Sequence, residues 1–548
     1  MIRKLLTVVL VLVLVGSLVA GCSRASQTSQ KPAEKAAEKP AEKQEKVLRY
    51  NDGAEPQFLD PAKATGVPEN TVTTAVFEGL TRVKGTETVP GVAERWEVKD
   101  NGTKWVFYLR KNAKWSNGDP VTAHDFVFAW QRALDPATKS EYAYQLYYLK
   151  NAEEFNTGKI KDPAQVGVKA LDDYTLEATL EAPCPYFTFL TAFPTYFPVH
   201  QKTVKADPEG WATKPETYIG NGPFKMVKWE HKSKMEFVPN EHYWDRANVK
   251  LDRLVFTLVE DETTELTMFE ADQLDMTQAV PTSEVPRLRK EGKLKTEPIL
   301  GTYYYLFNTT KKPFNNPKVR RALALAIDRN AIIETVLKNA GQVPAYAFVP
   351  FGMPDAAPGS DFRKVGGDFF KEDLQEAKKL LAEAGYPDGK GLKVEILYNN
   401  LEGHKLIAEA IANMWKTKLG VEATLRAEEW QVYLDTRSKL NYQVARAGWV
   451  ADYADAMNFL DMWTSNSGNN DTGWKNKKYD DLITKARKTA DNAERIKTLH
   501  EAEKLLMDEM PIIPIYFYVQ NRCIKDYVKG YVPTPLNIPD FKGVDIQK

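Results

Sequence analysis

An α/β fold with a parallel sheet, joined to a separate antiparallel α+β body, is predicted by the order and composition of three stretches of this 548-residue chain. The first runs from 392 to 440: LKVEIL (392–397) reads as a strand, 404–419 as an amphipathic helix stopped by Gly420, 421–427 as a second strand and 430–440 as the next helix. Strands that alternate with helices of this length imply right-handed crossovers and a parallel sheet. The second is YQVARAGWVADYADAMNFL (442–460), where Val444, Ala445 and Ala447 are small or branched and apolar and Gly448 follows. That composition suits a strand buried on both faces. The third, 91–130, sets Asp100-Asn101-Gly102 between aromatic-rich segments, a hairpin signal, and has Thr122 opening a helix.

A parallel sheet presents its binding edge beyond the carboxyl ends of its strands. Asn399, Glu429, Trp430, Trp449 and Asp452 are therefore expected along one edge. Asp452 and Asp455 have a second reading, because a carboxylate ahead of 456–463 caps a helix. Asp455 is the better placed to cap; Asp452 stands far enough upstream to be free.

The length exceeds what one hydrophobic core supports and implies about three domains. Basic and acidic residues balance at 74 each, so no basic field exists to hold nucleic acid. A 43% hydrophobic content is that of a soluble globular chain, and 25 Tyr, 12 Trp and 24 Phe supply rigid amphipathic contact surface.

The amino end has its own chemistry. Arg3 and Lys4 precede an apolar run, 5–20, too short to span a bilayer comfortably and shaped like a signal-peptide core. It ends in Val19-Ala20-Gly21-Cys22, which resembles the bacterial lipobox, in which the cysteine is diacylated and becomes the first mature residue. Two acyl chains anchor stably where one is marginal. We expect residues 1–21 to be a lipoprotein signal peptide and 22–46, rich in Lys, Glu, Ala and Pro with almost no apolar side chain, to be a disordered tether. Cys184 and Cys523 are expected as buried free thiols, and the six histidines are scattered, so no metal set is implied.

Longer motifs carry a family resemblance. AERWE with the hairpin after it, YLRKNAKWSNGDPVTAHDF, NGPFKMVKW (221–229), YYYLFNTTKKPFNNPKVRRALALAIDR (303–329) and EAKKLLAEAGYPDGKGLKVEILYN (376–399) resemble the bacterial extracellular solute-binding proteins of the peptide and nickel group, family 5. The resemblance covers nearly the whole folded chain. It implies a periplasmic-binding-protein-like fold of type II with three lobes: lobe I from 47–67, 199–300 and 521–548, lobe II from 68–198, and lobe III, the ligand-binding α/β lobe, from 301–520. Two lobes clamp the ligand, with the hinge at the chain crossings near Leu300 and Gln520.

The function the resemblance implies is that of a lipid-anchored receptor at the outer face of the cytoplasmic membrane. It captures oligopeptides and delivers them to ABC transporter permease subunits, as a monomer and without a cofactor. Such a receptor must bind what all peptides share: backbone groups can pair with an exposed strand, and charged termini can be met by fixed opposite charges. By resemblance Asp452 receives the α-ammonium, and the backbone of Ala447, Gly448 and Trp449 pairs with the ligand. The segment from Glu55 to Gln57 forms the opposite side. Arg437, Arg446 and His404 face the carboxyl end, Trp430 lines a side-chain pocket, and the triplet Tyr303, Tyr304 and Tyr305 forms a polar aromatic wall. Ala324 stands where some relatives carry a lysine, which leaves peptide length open. Other ligands of the same receptor class are a dipeptide, a murein peptide, a nickel chelate or a glycan. A peptidase is disfavoured, since the sequence holds no GxSxG, HExxH or phosphate loop.

Overall fold

The computed structural model describes residues 45–85 and 87–548; the expected signal peptide, Cys22 and all but the last residues of the tether lie outside them. No helix among the described residues is long and apolar enough to cross a membrane. A four-stranded sheet joins Val47–Asn51 to Arg253–Thr257 in parallel, then Lys234–Pro239 and Phe224–Glu230 antiparallel. Its first strand is thus separated in sequence from its partners by a second body. That body holds an antiparallel sheet of Ala93–Lys99, Lys104–Leu109, Thr175–Thr179 and Val168–Asp172. The expected hairpin is there, and Asp100, Asn101 and Gly102 all take positive φ (50°, 53° and 91°), a conformation that Asn, Asp and Gly tolerate best. The helix Ala123–Leu134 begins after Thr122, whose N–H donates to the Asp125 carboxylate at 2.9 Å.

The large sheet has six strands in the order Val343–Pro344, Ile512–Cys523, Leu294–Phe307, Val444–Val450, Lys393–Asn399, Glu422–Glu428. Lys393–Asn399 runs parallel to both its neighbours, as the strand and helix alternation requires. The sheet as a whole is mixed, however, because Leu294–Phe307 is antiparallel to Val444–Val450 and to Ile512–Cys523. That strand arrives from the first body rather than through a helical crossover, so the handedness rule for βαβ units does not bind it. Leu294–Phe307 and Ile512–Cys523 pair along most of their lengths, with a register break between Pro298 and Thr302.

Several boundaries shift from the sequence-based expectation. The helix after the first loop is Val67–Val76, with Pro68 in its first turn. The helix after Lys393–Asn399 is Glu402–Leu419, ended by Gly420 at φ 72°, and the next is Trp430–Ser438. Segment 456–463 divides into Met457–Leu460 and a 3-10 turn, Asp461–Trp463. Cys184 and Cys523 are buried and free. Asn316 caps Pro317–Leu325, its side chain accepting from the Lys318 N–H at 3.0 Å. Asn316→Ala is expected to cost about 1 kcal/mol in urea unfolding.

Candidate functional site

The Val444–Val450 strand is paired along one flank with residues 301–307, but on the other flank Lys393–Asn399 meets it only at Val444 and Ala445. From Arg446 onward that flank has no strand partner among the described residues. A peptide group needs a partner once it leaves water, so an unpaired strand flank inside a cavity is a site for an added strand. The cavity here measures about 320 Å³, and its walls include Asp452, Trp449, Gly448, Arg446, Arg437, His404 and Trp430.

Asp452 lies two residues past the strand and is only 6% exposed. Its Oδ2 accepts from Gln145 Nε2 at 2.5 Å and from Asn458 Nδ2 at 2.9 Å, and the Tyr142 hydroxyl stands 3.5 Å from Oδ1. All three donors are neutral, and no cation pairs with the carboxylate among the described residues. Burial pushes its pKa up to about 7, against the pull of the Asn458 and Gln145 amides. Asp455 resolves the other way: it accepts from the Met457 N–H at 2.9 Å, as a cap, and takes both guanidinium arms of Arg495 at 2.9 and 2.8 Å.

Six residues back, Arg446 is the opposite case. Its guanidinium donates to Tyr518 Oη at 2.7 Å and to Asn399 Oδ1 at 3.2 Å and lies 4.8 Å from the Tyr303 ring centre. Its Nε is buried without a hydrogen-bond partner, and no carboxylate pairs with it among the described residues. Trp449 donates through Nε1 to Asn458 Oδ1 at 3.0 Å, and Trp430 stacks on Tyr433 with its Nε1 3.4 Å from Glu69 Oε1.

Other expected residues are placed differently. Arg437 does reach the cavity, which its position late in the Trp430–Ser438 helix did not promise, but its Nε is 2.5 Å from Asp471 Oδ2 and its charge is already matched. His404 lines the cavity as a neutral imidazole, since burial first and Arg446 second drive its pKa well below the ordinary value. Glu55 is turned away: its carboxylate accepts from Trp229 Nε1, sits 2.7 Å from His231 Nδ1 and takes the Lys232 N–H at 2.8 Å. The Gln57 N–H is spent on Glu69 Oε1 at 2.6 Å, and neither Glu55 nor Gln57 lines the cavity. Gly53 and Ala54, just before them, line the cavity instead.

Tyr303 and Tyr305 are buried in the sheet beside Arg446 rather than on the cavity wall, and Tyr304 reaches it. Period-two alternation allows only one side of the triplet to do so. Ala447 is also off the wall, fully buried opposite Tyr304. Glu429 leaves the edge to pair with Lys232 at 3.2 Å. Gln145, Tyr142, Asn458 and Tyr518 were not foreseen. Tyr518 had a signal, the alternation in Ile512–Cys523 that puts Tyr516 and Tyr518 on one face; Gln145 had none, because it comes from the second body. Opposite these groups Glu262 and Glu265 are pushed up to about 8, chiefly by burial.

Known proteins share this architecture. The chain is 40% identical over 507 residues to the dipeptide-binding protein DppE of Bacillus subtilis (strain 168), covering 91% of this chain and 92% of that protein. It superposes on Haemophilus influenzae OppA in complex with RPPGFSPFR with a TM-score of 0.87 at 38% identity, covering 92% of this chain and all of that one. The unliganded open form of the murein tripeptide-binding protein MppA, also 38% identical and covering 92% of this chain and 98% of its own, superposes at only 0.61. Another structure of the same MppA, 38% identical and covering 92% of this chain and 99% of its own, superposes at 0.87, so the lower value goes with the open form and not with a different fold. Residues 87–471 match the family model "Bacterial extracellular solute-binding proteins, family 5 Middle", and the chain therefore belongs to that family.

Proposed function

We propose that the protein is a peptide-binding receptor of an ABC importer, one that closes its lobes around a short zwitterionic peptide rather than transforming it. One observation carries this reading: a single cavity holds a buried carboxylate without a cation, Asp452, and a partly buried guanidinium without a carboxylate, Arg446. Each is costly alone, since buried charges are stable only when paired. A ligand with an ammonium at one end and a carboxylate at the other satisfies both. Four residues of strand and two beyond its end separate them, at most roughly 20 Å of chain, a span suited to a peptide of about three to six residues once side-chain reach is included. Between them the unpaired strand flank supplies sequence-independent hydrogen bonds.

Gln145 and Tyr142 come from lobe II and reach Asp452 in lobe III, so the contacts that hold the ammonium site also hold the lobes together. The better superposition on a peptide complex than on an open form supports the same reading. Anchoring through Cys22, a tether over 22–46, hinge bending near Leu300 and Gln520, and hand-over as a monomer to permease subunits complete the proposal. Native mass spectrometry of the purified protein tests it: a retained mass that fragments as a peptide is expected, and a retained glycan or nickel chelate would overturn it.

The pH dependence has a definite sign. With its pKa near 7, Asp452 takes a proton as the pH falls through neutrality, and an ammonium ligand must then displace it. Tripeptide affinity is expected to drop on the order of tenfold from pH 7.5 to pH 5.5 in titration calorimetry. For folding the sign reverses: a carboxyl raised above its unfolded pKa stabilises the fold while protonated and withdraws that stability as the pH rises from about 4 toward 7.

A further inference from the structure

The two oxygens of the Asp452 carboxylate are held unequally. Oδ2 accepts from the Gln145 amide at 2.5 Å and from the Asn458 amide at 2.9 Å. Oδ1 has one partner among the described residues, the Tyr142 hydroxyl at 3.5 Å, longer than a good O–H···O bond. Building on the peptide reading above, we infer that Asn458 is a positioning residue for peptide capture: it holds Asp452 by Oδ2, keeps it ionised and leaves Oδ1 for the ligand's ammonium.

The other bonds of Asn458 fit it for this role. It is fully buried within Met457–Leu460, the turn that Asp455 caps and that Arg495 anchors through both guanidinium arms. Its Oδ1 accepts from Trp449 Nε1 at 3.0 Å and from the Asp452 N–H at 3.1 Å. Both neighbours are N–H donors, so the amide cannot turn over without setting its own NH2 against them. Nδ2 is thereby fixed toward Asp452, and one side chain ties the carboxylate to its own backbone and to the indole beside it. Gln145 differs, because it comes from the second body and reaches Asp452 across a junction. Asn458 lies six residues from Asp452 in one local turn, so its hold needs no contact between bodies.

The choice of a neutral donor follows from charge. The titratable groups that face the carboxylate are the hydroxyls of Tyr142 and Tyr144 from the second body and Asp461 from the turn after Met457–Leu460. None of them is a cation, and Asp455 nearby is already matched by Arg495. A lysine or arginine in place of Asn458 would pair with the carboxylate and compete with the ammonium. An apolar residue would leave burial unopposed, and Asp452 would keep a proton. A neutral amide favours the ionised form and leaves its charge free for the ligand.

The test measures binding of Ala-Ala-Ala by calorimetry in buffers of different ionisation enthalpy, from about pH 5.5 to about pH 8.5, on the intact protein and on Asn458→Ala. An ammonium binds the ionised carboxylate, so binding expels the proton of any Asp452 that carries one, and the number of protons released reports its protonation. In the unaltered protein the release is expected to pass its midpoint at about 7. In Asn458→Ala the midpoint should move up by about one pH unit, the loss of one hydrogen bond to a charged group, and affinity at neutral pH should fall at least about fivefold. Other groups and the peptide's own amine titrate alike with both proteins and cancel from the difference. Asn458→Ser, whose hydroxyl stops one bond short of the amide, replaces the alanine variant should that one not fold. An asparagine that only supports the fold would lower the melting temperature or the affinity and leave the midpoint where it was. That result overturns the inference and leaves the peptide reading standing, whereas failure of the unaltered protein to bind Ala-Ala-Ala overturns both.

Discussion

Asp452→Ala is expected to weaken tripeptide binding by about 2–5 kcal/mol, a factor of roughly 30 to 4000, because a desolvated charge contact loses one partner while the other stays buried. The substitution alone does not separate two causes. Asp452 also accepts from Gln145 and Tyr142, so alanine removes contacts that bring the second body against the large sheet as well as the group that meets the ligand. Acetylating the peptide's amino end removes the ligand's charge and leaves every protein contact in place. If the carboxylate captures the ammonium, the two changes weaken binding by comparable amounts, and acetylation adds little in the variant. A large loss from Asp452→Ala with none from acetylation would assign the residue to closure and sink the proposed ammonium site.

Arg446→Met is the second large effect, and its value lies in opposite changes of affinity and stability. The guanidinium is partly buried against tyrosines with no carboxylate to offset its dehydration, so methionine of similar reach is expected to leave the melting temperature of the ligand-free protein unchanged or raise it. Affinity for a tripeptide with a free carboxyl end should nevertheless fall by about 2–5 kcal/mol. The carboxyl-amidated peptide, which offers no negative charge, should discriminate little between the two proteins. A structural arginine would behave in the reverse manner: stability would fall and both peptides would be affected alike. Arg437 is the natural comparison, since Asp471 already neutralises it and its removal strands a buried carboxylate; there the loss should appear in stability.

The parts of the site legible in the sequence share a cause. Asp452 and Trp449 lie near or just past the end of one strand and Trp430 opens the helix that leads to it, so a rule about strand ends carries them to one edge, whereas Gly448 and Arg446 came from the family resemblance. Glu55 and Gln57 failed because a loop residue's direction is not periodic; what determines it is the His231 ring and the Lys232 N–H for one and Glu69 for the other. His404 lines the cavity, but as a neutral imidazole rather than the basic group the resemblance implied. Its charge depends on burial and on Arg446, neither of which has a counterpart in local sequence.

By itself the sequence determined the alternation of strands and helices around 393–450, the hairpin at Asp100-Asn101-Gly102, the capping role of Asp455, and Asp452 as a carboxylate beyond a buried strand. These depend on neighbours a few residues away, which backbone geometry and hydrogen-bond reach dictate directly. Only the tertiary structure decided that Leu294–Phe307 runs against its neighbours and that Gln145 and Tyr142 close on Asp452. Those features arise where separate bodies meet, and a contact between residues 145 and 452 is set by how packed surfaces fit rather than by any local preference of either segment.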